Sequence, residues 1–179
     1  VGTGRGPACD IAVDPIDGTS LTGAGRQNAL SVIAVSDRGT MLDASSVFYM
    51  NKIVAGAEAI GVVDIRQSIG DNIRALAKAK GKPVSEMSIA VLDRPRHEGL
   101  IEEIRAAGAG TRLLLDGDVA GGINAARYES RIDMCVGTGA LVEGVRRKGP
   151  IIRTDSIVLR GKSGTIRRVQ ADYLAERWI

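Results

Sequence analysis

The stretch SIAVLDRPRHEGLIEEIRAAGAGTRLLLDGDVAGGINAARYESRIDMCVG, residues 88–137, decides the fold class. Three short apolar runs in it predict β-strands, at 88–93, 111–116 and 134–137. Two helical patterns lie between these runs, at 94–108 and 117–127. Gly108 ends the first pattern, and Asp118 is the expected N-cap of the second. Strands that alternate with helices in this way predict a β-α-β-α-β unit with a parallel sheet, and therefore an α/β protein.

The sequence on either side of this unit predicts antiparallel strands. Before it, β-branched apolar runs predict three strands, at 9–14, 28–36 and 45–55. We expect the first strand to be buried, and the turn at 37–40 suits an antiparallel meander. Residues 68–80 predict a helix with Ser68 as its N-cap. After the unit, two alternating segments predict a C-terminal hairpin, at 151–161 and 165–172.

Length and composition restrict the class of protein. The chain has 179 residues, enough for a substantial core, and we divide it into an antiparallel half, 1–87, and a parallel half, 88–179. Aromatic residues make up 3%, so the core must be aliphatic. The net charge of +3 comes from mixed charges without basic patches rich in aromatics, which argues against nucleic-acid binding.

Compartment and cysteine chemistry follow from simple patterns. No signal peptide and no run of 18 apolar residues is found, so we expect no membrane association and a cytoplasmic protein. Cys9 and Cys135 lie in apolar runs and are expected to be buried thiols, because no cysteine spacing typical of zinc sites is present. The chain begins with Val, which suggests a fragment.

Three predicted strands end in polar clusters, at 14–19, 93–97 and 116–118. Ligands in α/β sheets bind at the carboxyl ends of strands. The three clusters are therefore expected to share one site.

The cluster DPIDGT, residues 14–19, has the donors of a metal site. Pro15 and Gly18 favour a turn that would direct the carboxylates of Asp14 and Asp17, and the Ile16 carbonyl, at one point. Oxygen ligands of this kind suit Mg²⁺ or Mn²⁺. The Thr19 hydroxyl would then lie beside the metal and could orient a water molecule or a phosphate. The alternative is that Asp-Gly serves only the turn.

The other two clusters have the groups that bind anions and sugars. Arg94-Pro95-Arg96-His97 begins a helix, where free N–H groups and arginine forks favour phosphate, although a solvated turn is an equal alternative. His97 is expected to pack at the helix start. Asp116-Gly117-Asp118 could bind sugar hydroxyls or a metal, and alternatively could simply make a turn and a cap.

Two residues of the third predicted strand complete the set. Tyr49 and Lys52 could reach phosphate or sugar, or could follow ordinary strand alternation. Metal ligands, a hydroxyl and arginines together favour metal-assisted hydrolysis of a phosphomonoester.

The motif DPIDGT resembles the metal motif of the inositol-monophosphatase and fructose-1,6-bisphosphatase superfamily. Longer segments resemble, more narrowly, the class II fructose-1,6-bisphosphatase family of bacteria: CDIAVDPIDGTSL, SVIAVSDRGTMLDASSVFYMNKI, LDRPRHEGLIEEIR, RLLLDGDVAGGI and IVLRGKSGTIRRVQ. The resemblance implies a layered sugar-phosphatase-like fold and Mg²⁺ or Mn²⁺. It also implies removal of the 1-phosphate from fructose 1,6-bisphosphate in gluconeogenesis. The expected partner is a small sugar bisphosphate, and we expect a homo-oligomer.

The resemblance also implies roles for individual residues. Thr19 and Asp17 are implied as catalytic. Substrate-binding positions are implied at Asp17, Gly18, Thr19, Tyr49, Arg94, Pro95, Arg96, Asp116, Gly117 and Asp118. Metal ligands are implied at Asp14, Ile16, Asp17 and Glu143.

The chain departs from the family pattern in two places. The family's N-terminal segment, with further acidic ligands, is absent, and the segment GALVEGVRRKGPI resembles a later part of the family. We therefore expect a chain that is truncated at its N-terminus and internally deleted between Gly137 and Gly139. Three functions stay open: a working fructose bisphosphatase, a non-catalytic relative with weak phosphosugar binding, and a sedoheptulose-1,7-bisphosphatase.

Overall fold

The computed structural model of the chain describes residues 4–41, 50–139, 153–161 and 166–172, with only the backbone for the last two ranges. The strands are β1 (Cys9–Asp17), β2 (Leu30–Asp37), β3 (Met50–Ala55), β4 (Ser88–Leu92), β5 (Gly110–Leu114), β6 (Met134–Gly139), β7 (Arg153–Gly161) and β8 (Ile166–Asp172). The α-helices are α1 (Thr19–Gly23), α2 (Ile69–Ala79), α3 (Glu98–Ala106) and α4 (Asp118–Ala126).

These strands form two sheets. β1 and β2 make an antiparallel pair, and the other six make a mixed sheet in the order β5-β4-β6-β3-β7-β8. β4 is parallel to both β5 and β6, whereas β3 is antiparallel to β6. The predicted β-α-β-α-β unit is therefore confirmed, as is the antiparallel hairpin of β7 and β8. The chain is a layered α/β protein, and its division at residue 87 stays a prediction.

Helices cover both faces of the six-stranded sheet. Alternate residues of β4 point to opposite faces: Ile89 and Val91 lie in one apolar cluster, which the buried residues of α2 and α3 share. Ala90 lies in a second cluster with Cys135 of β6 and Ala125 of α4. The small side chains of the second cluster let α4 approach the sheet closely.

Helix α2 follows the predicted pattern. Ser68 is its N-cap, and its hydroxyl accepts a hydrogen bond from the Asp71 N–H at 3.0 Å. On its buried face, Asn72 is fully enclosed and its amide bonds both the N–H and the carbonyl of Asp64. Among the helices described, none has the length and apolarity needed to cross a bilayer.

Two expectations about the first strands are wrong. β1 is not buried, because Ile11 and Val13 are 49% and 60% exposed, and Cys9 is exposed as well. Its apolar face is covered by no element among the described residues. The predicted antiparallel meander is also wrong for its third strand, because Met50–Ala55 pairs with β6 and β7 instead of β2. Cys135 is buried as expected.

The helix starts of the parallel unit differ from the prediction in detail. Pro95–His97 forms a turn of 3₁₀ helix before α3, and Gly108 follows that helix with a φ of 88°. Asp118 is the first residue of α4 and not its N-cap, which is Gly117. The Val119 N–H at the start of α4 donates to a carboxylate from another element, described below.

Asp133 is the most highly connected buried acid in the described chain. It lies just before β6, its side chain is 4% exposed, and it accepts hydrogen bonds from Lys80, Lys82 and the Ser88 N–H at 2.9–3.0 Å. Burial alone would raise its pKa, but the hydrogen bonds from Lys82, Ser88 and Lys80 outweigh burial and lower the pKa below 3.8. The ionised form of Asp133 therefore stabilises the folded chain.

The first prediction concerns the pH dependence of this stabilisation. We expect Asp133→Asn to lower the free energy of unfolding at pH 7 by about 2 kcal/mol, since charge-assisted hydrogen bonds are lost. The pKa of Asp133 is lowered in the folded state, so its contribution is complete above pH 3.8 and is lost as pH falls through the folded pKa. Urea unfolding at pH 7 and at lower pH measures the difference.

The control is Glu102→Gln, which removes an exposed carboxylate from α3. It should change stability by less than about 0.5 kcal/mol at either pH. A difference between the wild type and Asp133→Asn that stays the same at all pH values would contradict the prediction.

Candidate active site

The candidate site begins where β1 passes into α1. The pairing of β1 with β2 shifts register between Asp14, which lies opposite Val32, and Asp17, which lies opposite Leu30. One extra residue in β1 forms a bulge there, and Pro15, which lacks an N–H, lies within it. The bulge places two acids close to the end of the strand.

Gly18 makes the turn from the strand into the helix. Its φ of 86° is in the left-handed region, which residues other than glycine rarely adopt. A Cβ atom at this position would also lie 3.0 Å from Leu21 Cδ1. Thr19 then begins α1 and is exposed at its start.

Two hydrogen bonds connect this turn with the turn that precedes α4. The Ser20 N–H, at the start of α1, donates to Asp116 Oδ2 at 2.9 Å. In the other direction, the Val119 N–H at the start of α4 donates to Asp17 Oδ2 at 3.1 Å. Each turn therefore supplies a carboxylate to the N-terminus of the helix that follows the other turn.

The two turns are also in direct backbone contact. Gly117 has a φ of 72°, and a Cβ there would lie 3.2 Å from Asp17 Oδ2 and 3.3 Å from Gly18 Cα. A side chain at Gly117 would therefore separate the turns and weaken both hydrogen bonds. The glycines of DPIDGT and DGD are needed for this approach as well as for their own turns.

Three carboxylates raise the pKa of a fourth, Asp17, in this region. The pKa of Asp17 is raised, first by burial and then by the negative charges of Asp118, Asp14 and Asp116, while the Val119 hydrogen bond opposes the rise. The pKa of Asp116 is lowered, chiefly by the hydrogen bond from the Ser20 backbone and further by the charge of Arg94. The site therefore concentrates negative charge around Asp17.

Two cations bind acids of this group. Arg94 donates from Nη2 to Asp116 Oδ1 at 2.7 Å, and from Nη1 to the carbonyls of Asp93 and Leu115. It therefore joins the ends of β4 and β5 in addition to any role with a ligand. Lys52, a 7% exposed residue of β3, forms an ion pair with Asp118.

The residues after Arg94 join β4 to β6. Arg96 is exposed and its Nε donates to the Thr138 carbonyl at 2.8 Å, while Pro95 is exposed beside it. His97 is 1% exposed, with Nδ1 near the Leu92 carbonyl at 2.9 Å and Nε2 accepting from the Thr138 N–H at 2.9 Å. This arrangement fits the neutral ring with its proton on Nδ1, and the predicted packing role of His97 is confirmed.

The structure brings together most of the residues predicted for the site. The turns that carry Asp17, Gly18, Asp116, Gly117 and Asp118 are joined, and Arg94 is bonded to one of them. Asp14 is half-buried and close enough to affect the pKa of Asp17. Tyr49 and Glu143 lie outside the described residues.

Lys52, which the sequence analysis named as a group able to reach phosphate or sugar, forms an ion pair with an acid of the candidate site. Its partner, Asp118, lies 66 residues away in the sequence, so no local pattern shows the pairing. A Cβ at Gly139 of β6 would lie 3.5 Å from Lys52 Nζ. Because buried lysines are rarely unpaired, a lysine in a buried strand indicates an acid close to that strand.

The donors around Asp17 fit a hard divalent cation only in part. In the described residues, no three carboxylate, imidazole or thiol groups are close enough to hold a metal ion by themselves. Mg²⁺ often takes only one or two carboxylates from a protein and completes its shell with water and phosphate oxygens. The acids at the end of β1 suit such a cation, whose charge would offset the repulsion around Asp17.

Comparison with known proteins identifies close relatives over most of the chain. Residues 1–145 match the family described as bacterial fructose-1,6-bisphosphatase, glpX-encoded. The chain is 45% identical over 145 residues to fructose-1,6-bisphosphatase 1 class 2 of Escherichia coli strain K12. Identity and length are the same for the class 2 fructose-1,6-bisphosphatases of Escherichia coli O6:H1 strain CFT073 and of Shigella flexneri.

These alignments cover 81% of this chain but 43% of each relative, so the chain spans less than half the length of the curated relatives it matches. The segment IVLRGKSGTIRRVQ lies beyond the matched residues, and its resemblance and the internal deletion stay predictions. The match includes the turns around Asp17 and Asp116 and the arginines after β4. It shows that the chain belongs to the family of bacterial glpX-type fructose-1,6-bisphosphatases.

Proposed function

We propose that this chain hydrolyses the 1-phosphate of fructose 1,6-bisphosphate with the help of Mg²⁺ or Mn²⁺. The observation that carries the proposal is the junction of the two turns, where Asp17 bonds the start of α4 and Asp116 bonds the start of α1. This junction gathers acids, helix N-termini and an arginine where the end of β1 meets the ends of β4 and β5. The 45% identity to class 2 fructose-1,6-bisphosphatases supports the choice of substrate.

We assign the metal ligands to the end of β1. Asp14, Asp17 and the Ile16 carbonyl would hold the cation, with Glu143 as a further candidate. A bound divalent cation lowers the pKa of a coordinated water and neutralises charge on a phosphoryl group. Asp17 has a second role, because its Oδ2 also bonds the Val119 N–H and so fixes the carboxylate against α4.

We assign the reacting phosphate to the start of α1. Thr19 is exposed there, so its hydroxyl can donate to a phosphate oxygen or orient the attacking water. The Ser20 N–H beside it is already bonded to Asp116, so the Thr19 hydroxyl is the group that we assign to the phosphate. Thr19 and Asp17 are the proposed catalytic residues, and Gly18 allows the backbone of the turn to approach the substrate.

The remaining residues would bind the sugar and the second phosphate. Arg96 is exposed beside Pro95 and offers guanidinium donors to a phosphate, while Arg94 holds Asp116 in position. Asp116, Gly117 and Asp118 would face the sugar hydroxyls, and Tyr49 is a further candidate. A gluconeogenic role would place the protein in the cytoplasm. We also predict that the protein forms a homo-oligomer, which light scattering can test.

A non-catalytic phosphosugar-binding protein is the second candidate. It is favoured by the finding that the described residues contain no group of three or more ligand side chains able to hold a metal ion. Two-metal phosphate chemistry needs a larger set of acids than the two at the end of β1. The two candidates differ in turnover but not in the residues that contact a phosphosugar.

The second prediction tests turnover. The purified chain should release inorganic phosphate from fructose 1,6-bisphosphate when Mg²⁺ or Mn²⁺ is present, and EDTA should abolish the release. Asp14→Asn should lower kcat at least about 100-fold, because it removes a ligand of the group that activates water. Asp37→Asn, at the exposed end of β2, is the matched control and should retain full activity.

No phosphate release from a chain that unfolds cooperatively would refute the catalytic proposal and favour the non-catalytic candidate. Equal release by Asp14→Asn and wild type would refute the assignment of Asp14.

The third prediction tests the metal site without turnover. Mg²⁺ or Mn²⁺ at about 100 times its Kd should raise the Tm of the wild type by about 5–10 °C, since binding to the folded state alone contributes about 2.7 kcal/mol. Asp17→Asn should lose this shift, whereas the amide oxygen can still accept from Val119. Differential scanning calorimetry with and without EDTA measures the effect, and an equal shift in Asp17→Asn would contradict the assignment.

A further inference from the structure

A cavity of about 500 Å³ lies beside the candidate active site, between the loop that follows α1, the strand β5 and helix α4. Its volume is within the range of small-molecule pockets. Of the residues assigned to the candidate site, only Asp116 and Gly117 also line the cavity. The rest of its wall takes no part in the function proposed above.

The charges that line the cavity are mainly positive. Arg26 comes from the loop after α1 and Arg112 from β5, and both are exposed. Neither guanidinium forms an ion pair within the part of the chain that the structure describes. The single carboxylate in the lining, Asp116, is already bonded to Arg94 and to the Ser20 N–H. Two cations therefore face this cavity without a neutralising acid.

Neutral polar groups and an apolar wall complete the lining. The amides of Gln27, Asn28 and Asn124 can donate to ligand oxygens, and Asn28 has a φ of 77°, a left-handed conformation that few side chains adopt. Leu113 and Leu115 line the cavity and are 41% and 50% exposed. Such a wall suits the carbon skeleton of a small ligand.

We propose that this cavity is a second binding site, separate from the candidate active site, for a small organic phosphate. Two arginines from different elements can each present a planar fork to a tetrahedral phosphate, which has enough terminal oxygens for both. A carboxylate, with two oxygens, satisfies only one such fork. The amides and leucines then hold the organic part of the ligand.

The test is a titration of the isotopically labelled chain with inorganic phosphate, followed through backbone amide NMR signals, with acetate as the competing oxyanion. Phosphate should shift the signals of Gln27, Asn28 and Asn124. The apparent Kd for acetate, taken from the same signals, should be at least about tenfold higher than that for phosphate. Arg26→Gln and Arg112→Gln, each tested singly, should weaken the phosphate response of these signals about tenfold or more, because a charge-assisted hydrogen bond is lost.

Two further variants separate this site from the active site. Arg105→Gln removes an exposed arginine at the end of α3, outside the cavity, and should leave the response unchanged. Arg96→Gln should weaken binding at the candidate active site but not the shifts of Gln27 and Asn28. The proposal is overturned if the lining signals do not move, or if Arg105→Gln and Arg112→Gln weaken their response equally. Arg112→Lys, which keeps the charge, should bind more tightly than Arg112→Gln.

Discussion

The exchange of carboxylates between two turns holds the candidate site together. Asp17 bonds the start of α4, and Asp116 bonds the start of α1. The two acids are 99 positions apart in the sequence by number, and neither hydrogen bond could form if Gly18 or Gly117 carried a side chain that kept the turns apart. The negative charge needed for helix capping is the same charge that would bind a cation, so the structural and chemical roles of these acids cannot be separated.

Much of this arrangement could be predicted because its determinants are local. The parallel unit alternates strand and helix patterns, and its polar clusters follow the strands directly, so their convergence at one sheet edge follows from topology alone. The packing of His97 at the start of its helix was also predictable, because it depends on the helix start that follows β4 directly in the sequence. Ser68 illustrates the same point for α2, where the cap and its N–H partner are three residues apart.

The parts that could not be predicted depend on distant partners. Asp118 has the sequence pattern of an N-cap, but its carboxylate forms an ion pair with Lys52. Asp17 instead accepts the hydrogen bond from the Val119 N–H at the start of α4. Arg94 has the pattern of a phosphate ligand, but it also joins two strands through the Leu115 carbonyl. Local sequence shows which groups are available for bonding and does not show which of several partners they reach.

The exposed pair β1 and β2 explains why the junction matters beyond the site itself. A two-stranded sheet is only marginally stable alone. The exposed apolar side chains of Ile11 and Val13 contribute little hydrophobic stabilisation to this pair. Within the described chain, the hydrogen bonds of Asp17 and Ser20 anchor the end of this pair to α4 and to the turn after β5. Asp14 lies on the strand pair, whereas Arg94 and Asp116 belong to the six-stranded sheet. The distance between the proposed metal ligands and the proposed sugar-binding residues is therefore set by the same two hydrogen bonds that fix one sheet against the other.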